Sequence, residues 1–146
     1  MTTVAWRAGW VAADRLVDDW MDSGKLFRLK DGSVLSGAGY LDDIVEVAAW
    51  INAGCKADAK PDGLSADKDD RSGFLLARPN GKAYWLTQPW LRQVEIKDEF
   101  FALGSGSAYA LAAMAMGASA KRAVHIAMRF DPNTGRGVDA IRVKRP

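Results

Sequence analysis

The feature that most constrains this chain is the order in which its local patterns occur. Short β-suited runs fill the first third, one helical pattern follows, then more short runs, two helical patterns and a closing run. Strands and helices kept apart in this way predict a layered α+β domain, because a parallel sheet needs them in strict alternation. Thr2 to Trp6 is β-suited, turns at Arg7-Ala8-Gly9 and returns from Trp10 to Asp14. Period two puts Thr2, Val4 and Trp6 on one face of that first strand, Thr3 and Ala5 on the other. Lys25 to Leu29 and Ser33 to Ser36 flank Lys30-Asp31-Gly32 and read as a hairpin. Phe74 to Arg78 and Lys82 to Thr87 flank Pro79-Asn80-Gly81, a stronger hairpin signal because Asn-Gly accepts positive φ. Further strands are expected over 93–96, 100–103 and 138–143. The first helix is expected to start at an Asp42 or Asp43 N-cap, bury Ile44, Val45, Ala48 and Ile51, and stop at Gly54. Helices over 108–116 and 119–129 follow, the second capped by Ser119. Residues 55–72 are polar and contain Pro61, which reads as a loop too short to separate two domains, so 1–146 is expected to be a single domain.

Bulk properties exclude several classes. The 49% hydrophobic content supports a real core. Twenty basic against 18 acidic side chains leave a net charge of +2, which makes no case for nucleic acid; Arg142, Lys144 and Arg145 read as a solvated end. One cysteine, Cys55, suits a reducing cytosol, and the start of the chain has no basic-then-apolar signal pattern, so a cytoplasmic protein is expected. The longest apolar stretch, Tyr109 to Ala118, is far below the ~20 residues of a membrane span. His125 stands alone and reads as a core histidine; with no second histidine there is no metal site to expect, and no cofactor. Gly104-Ser105-Gly106-Ser107 lacks the Lys-Ser/Thr ending of a phosphate loop and reads as a strand-to-helix turn with serine caps. The pairs Asp18-Asp19, Asp42-Asp43 and Asp69-Asp70 read as loop charge or helix caps.

The chemistry-bearing signal is the start, Met1-Thr2-Thr3-Val4. Once the methionine is removed, Thr2 carries a hydroxyl and a free α-amine on one residue. A threonine hydroxyl is a weak nucleophile at neutral pH, whereas an α-amine with a pKa near ~8 can accept its proton without a histidine. Nucleophile and base on one residue is a known solution to acyl transfer. Only Met1 precedes Thr2, so ordinary methionine removal is expected to activate it.

Six ordered segments then carry a family resemblance: Thr2-Thr3-Val4; Val11-Ala12-Ala13-Asp14-Arg15; Lys25-Leu26-Phe27-Arg28-Leu29; Ser36-Gly37-Ala38-Gly39; Gly104-Ser105-Gly106-Ser107; and Asp131-Pro132-Asn133-Thr134-Gly135-Arg136-Gly137. In that order and spacing the chain resembles the proteasome β-subunit family, nearest the HslV type. The resemblance implies a four-layer αββα sandwich of the N-terminal-nucleophile hydrolase type. With 55–72 polar, one helical layer is expected to be shortened. It implies Thr2 as nucleophile with its amine as base, and Lys25 beside the hydroxyl, held by Asp14. It implies the Gly37 N–H as oxyanion donor, and Ser105, Asp131 and Thr134 around the amine. Thr134 stands where the family usually has serine and keeps the hydroxyl. Leu35 is expected to wall an apolar substrate pocket. A threonine-type endopeptidase acting on unfolded polypeptide inside a ring of identical subunits is therefore expected, with an AAA+ unfoldase of the HslU type as partner. Two other readings stand beside it: an amidohydrolase of small amides, and a non-catalytic ring or scaffold subunit.

Overall fold

The computed structural model describes residues 2–18, 21–62, 64, 73–87 and 91–143. Of the sequence expectations, those on Met1, Asp19, Gly63, residues 65–72 with the Asp69-Asp70 pair, Lys144 and Arg145 lie outside the described residues. The strands are β1 (Thr3–Arg7), β2 (Trp10–Asp14), β3 (Leu16–Asp18), β4 (Met21–Asp22), β5 (Phe27–Arg28) and β6 (Val34–Ala38). Helix α1 (Leu41–Asn52) follows, then a 3-10 turn at Ala57–Ala59 and strands β7 (Gly73–Ala77), β8 (Ala83–Thr87), β9 (Arg92–Glu95) and β10 (Phe100–Gly104). Helices α2 (Ser107–Ala115) and α3 (Ala120–Phe130) and strand β11 (Val138–Arg142) complete the chain.

Two antiparallel sheets form, in the orders β10-β1-β2-β11 and β5-β6-β7-β8-β9, with β3 and β4 as a separate two-stranded ribbon. Alternation along β1 and β2 divides their side chains between two cores. Val4, Trp6, Val11 and Ala13 meet Val34, Ala38, Leu75 and Ala77 between the sheets. Ala5 and Ala12 point the other way, with Ala102, onto Ala110, Ala120 and Ala123 of α2 and α3. Alanine against alanine lets these helices lie close on the sheet, and Met114 and Val124 fill what remains. Arg7, at the end of β1, ties down the C-terminal end of α2 and the turn after it by donating to Met114 O at 2.6 Å and Ala118 O at 3.0 Å.

On the opposite side, α1 packs Ile44, Val47, Ala48 and Ile51 onto Leu35, Phe74, Leu76 and Leu86. At ~1.5–3 kcal/mol for each large aliphatic side chain buried, this stripe stabilises a 12-residue helix that would be marginal alone. The layers are therefore α1, sheet, sheet, α2 with α3: the αββα sandwich. Among the described residues one α-helix covers the five-stranded sheet, which agrees with a shortened layer.

Several local expectations are corrected. Helix α1 begins at Leu41 after Tyr40, and Asp42 and Asp43 occupy its first turn, where they face the positive end of the helix dipole. Val45 is 48% exposed and Val47 takes the buried place expected for it, because 44, 47, 48 and 51 make one stripe and 45 turns about a quarter circle away. His125 is exposed, since the buried stripe of α3 is Ala120, Ala123, Val124 and Ala127. The turn before α2 has Gly106 at the N-cap with no side-chain cap bond, and Ser105 bonds to Asp131 instead. Leu35 is fully buried in the core under α1, not placed as a pocket wall. No described helix is long and apolar enough to cross a membrane, and no described group of three His, Cys, Asp or Glu could hold a metal ion.

Candidate active site

Strand β1 begins at Thr3, paired with Gly104 of β10 on one side, while Val4 pairs with Ala13 of β2 on the other. Continued by one residue, the first register sets Thr2 opposite Ser105. Thr2 is 1% exposed and Thr3 0%. Asp14 ends β2 and is fully buried, a position that a carboxylate holds only if its oxygens are filled. They are. Oδ1 accepts from the Thr3 N–H at 3.1 Å and from Lys25 Nζ at 3.0 Å. Oδ2 accepts from the Gly135 N–H at 3.0 Å and the Leu16 N–H at 3.3 Å. Asp14 thereby ties together the start of β1, the lysine segment and the loop before β11.

Lys25 is expected as the first residue of a strand, but it lies in an irregular stretch just ahead of β5. The ladder does not reach it; instead its carbonyl accepts from Ser36 Oγ at 2.8 Å, which pins the segment to β6. Its Nζ donates to Thr2 Oγ1, Asp14 Oδ1 and the Leu16 carbonyl. Three oxygens around Nζ match the three N–H groups of an ammonium. Burial lowers the Lys25 pKa from its ordinary 10.5, while the charge of Asp14 and its hydrogen bond push the other way. A cation so poorly solvated, with Thr2 Oγ1 as one of its partners, favours negative charge developing on that oxygen. Because Oγ1 accepts from Lys25, its own proton is free to leave in another direction.

A second cluster sits at the end of α3. Asp131 is 6% exposed; its Oδ2 accepts from Ser105 Oγ at 2.6 Å and Thr134 Oγ1 at 2.5 Å, and its Oδ1 from the Asn133 N–H at 3.1 Å. Burial alone would raise its pKa, but the Ser105, Thr134 and Asn133 bonds outweigh that and hold it below the ordinary 3.8. The folded protein thus binds this proton less readily than the unfolded chain. The stabilisation from Asp131 is complete above about pH 4 and is lost as pH falls through its lowered value. Urea midpoints of the native protein and of Asp131→Asn are expected to converge between about pH 5 and about pH 2. A constant gap would remove Asp131 from the acid response.

Gly37 enters through its neighbours. The Leu29 N–H donates to Ser33 O and the Arg78 N–H to Lys82 O, each at 2.8 Å, which fixes the bonded pairs of the two hairpins. Stepping along the registers, Ser36 and Ala38 turn their peptide groups to β7, and Gly37 turns its own to the β5 side. The ladder on that side stops at Phe27↔Leu35, so the Gly37 amide looks beyond β5, where Lys25 runs. Glycine is also needed here sterically: a Cβ would lie 2.8 Å from Phe74 Cδ1 and 3.2 Å from Ile44 Cγ1.

The structure therefore brings Thr2, Asp14 and Lys25 together, brings Ser105, Asp131 and Thr134 together, and aims Gly37 toward the lysine segment. Two residues were missed by sequence reasoning. Ser36 holds Lys25, and Thr3 joins the clusters, its amide on Asp14 and its Oγ1 2.7 Å from Thr134 Oγ1. Only the adjacency of Thr3 to Thr2 could have drawn attention to it.

No protein-family model and no curated protein matches the chain. Solved structures do. BPH from Thiobacillus denitrificans is similar at a TM-score of 0.66 and 19% identity, over 99% of both chains. The same protein in complex with Epoxomicin gives 0.68 and 20%, over 98% of both. Eukaryotic HslV from Trypanosoma brucei gives 0.67 and 17%, over 97% of this chain and 98% of that one. The chain has the proteasome and HslV-type fold. At these identities the likeness is one of architecture, and Thr2 is the first described residue, just before β1, between the turn that follows β10 and the lysine segment.

Proposed function

We propose that the chain is a threonine-type peptidase of the HslV kind, active once Met1 is removed. The observation that carries this reading is the Lys25 ammonium, buried and shared between Thr2 Oγ1 and Asp14. In the reaction, Thr2 Oγ1 attacks the carbonyl carbon of a peptide bond and its proton passes to the Thr2 α-amine. Lys25 stabilises the oxygen as it loses that proton. The carbonyl oxygen becomes an oxyanion facing the Gly37 N–H, a donor of the kind that contributes on the order of 3 kcal/mol to a transition state. The C–N bond breaks, the ammonium returns its proton to the leaving amine, and an ester remains on Thr2. Water hydrolyses the ester with the same amine as base. These residues complete the chemistry without a cofactor.

A polypeptide substrate fits the edge beyond Phe27↔Leu35, where an extended chain could lay its carbonyl against Gly37. We take residues 1–146 as one domain acting inside a ring of identical subunits, with an unfoldase ATPase feeding it. The HslV neighbour supports the ring. So does the face of α2 and α3, where a groove of about 540 Å³ is flanked by Tyr109 at 42%, Phe130 at 60% and Met116 at 89% exposure. A lone subunit would leave these apolar side chains in water.

Fluorogenic peptides and small acyl amides, offered in parallel, separate this reading from that of an amidohydrolase. Intact mass is expected to show loss of Met1, and a peptide boronate is expected to bind and to block turnover. Turnover of acyl amides alone would transfer the reading to the amidohydrolase, and no turnover of either substrate by a protein that begins at Thr2 would leave a scaffold subunit.

A further inference from the structure

We propose that the Thr3 hydroxyl is a positioning group for the Thr2 α-amine, acting through Thr134 and the 131–134 loop. The inference rests on the peptidase reading for its kinetic consequences, but its geometry stands apart from it. Asp131 Oδ2 receives both Ser105 Oγ and Thr134 Oγ1, and a carboxylate can only accept. Each hydroxyl has one proton, so both protons are spent on Asp131. The 2.7 Å contact between Thr3 Oγ1 and Thr134 Oγ1 must then run from Thr3 to Thr134. The chain of donors is fixed: Thr3 to Thr134, Thr134 and Ser105 to Asp131.

Two consequences follow for a neighbouring amine. Ser105 and Thr134 can offer it lone pairs and no protons, so the amine approaches them through its N–H groups and keeps its own lone pair for the Thr2 hydroxyl. One lone pair of Thr134 is already taken by Thr3, which leaves the other as the single acceptor on that oxygen. Thr3 is also the only described residue that bonds to both clusters, its N–H on Asp14 and its hydroxyl on Thr134. It sets the distance between the lysine side and the amine side of the site. The contact has been given room: a Cβ on Gly106 would stand 2.1 Å from Thr3 Oγ1 and 3.1 Å from Thr134 Oγ1. The ionisable groups facing this region are Asp14 from β2, Lys25 from the segment before β5, and Asp131 from the end of α3. Of these, Asp131 favours a protonated amine and Lys25 disfavours it.

The test compares Thr3→Val, which keeps the shape and removes the hydroxyl, with Thr3→Ser, which keeps the hydroxyl. Loosening the 131–134 loop weakens the influence of Asp131, so the amine pKa is expected to fall in Thr3→Val. The acid limb of kcat/KM against pH should move to lower pH, with kcat on the plateau down about tenfold and KM unchanged. Thr3→Ser should restore both. The amine is also titrated directly by NMR on protein labelled with 15N-threonine, a readout that needs no turnover. A lower amine pKa in Thr3→Val, restored in Thr3→Ser, supports the proposal even if the native protein cleaves no peptide, in which case only the peptidase reading fails. An unchanged amine pKa and pH limb in a folded Thr3→Val protein, with only its melting temperature altered, would reduce Thr3 to a packing residue and overturn the proposal. Should Thr3→Val fail to fold, Thr3→Ala is titrated in its place, with the same two outcomes.

Discussion

Thr2→Ala is expected to abolish peptide cleavage, by about 10³-fold or more, while the protein stays folded. The hydroxyl removed is the one that the buried Lys25 ammonium touches, and Ser105 and Thr134 cannot replace it because their protons are committed to Asp131. Thr3 is the nearest alternative in sequence, yet its Oγ1 points away from Lys25 toward Thr134. The structural cost is small by comparison. One donor of Lys25 loses its partner, at about 1–3 kcal/mol, and no packing is lost in the core between the sheets. Turnover of a fluorogenic peptide measures the first effect, and circular dichroism with size-exclusion chromatography measures the second. Activity surviving in a protein of verified mass would mean that another nucleophile carries the reaction.

Gly104→Ala is expected to be the most damaging single methyl group in this fold. Gly104 ends β10 with φ at +96°, and a Cβ built on it would stand 1.6 Å from the carbonyl oxygen of Thr2. No rotamer relieves that contact, because the Cβ position is fixed by the Gly104 backbone and the oxygen it meets is itself backbone. The left-handed conformation adds its own cost for alanine, of about 1 kcal/mol or more. Either β10 must move away from Thr3, breaking the start of the Thr3↔Gly104 ladder, or Thr2 must leave its place beside Lys25. A loss of about 3 kcal/mol or more in urea unfolding is expected, and the folded fraction should still be inactive. A stable and active Gly104→Ala protein would contradict the placement of Thr2 described here.

Local signals in the chain foretold what local interactions build. The Arg7-Ala8-Gly9 turn and the Asn80-Gly81 turn appear as expected, with Ala8 and Gly9 at positive φ in the first and Gly81 in the second. Gly54 and Gly117 mark the ends of α1 and α2 at positive φ, and Ser119 marks the start of α3 by accepting from the Arg122 N–H. The β3–β4 ribbon was not foreseen. Its strands are two and three residues long, too short for period-two patterning to show. Val45 and Val47 are the same residue type two positions apart, so their exchange could be decided only by the sheet beneath α1. His125 shows the same limit: its apolar neighbours Val124 and Ile126 suggested a core site, and the direction α3 presents to the sheet put it in water.

The candidate site divides along the same line. The sequence alone singled out Thr2 as a nucleophile beside its own amine, and the resemblance carried by six ordered segments named Asp14, Lys25, Gly37, Ser105, Asp131 and Thr134. What no reading of the sequence could supply is the directionality among them. That Lys25 spends its three protons on Thr2, Asp14 and Leu16, and that Thr3 must donate to Thr134, depends on which groups exclude water together. The chain by itself determined the alternating faces of β1 and β2, the turns, and a nucleophile followed by a second threonine. The closing of two sheets around buried charges decided the rest, because a hydrogen bond acquires an obligatory direction only where no solvent can stand in for its partner.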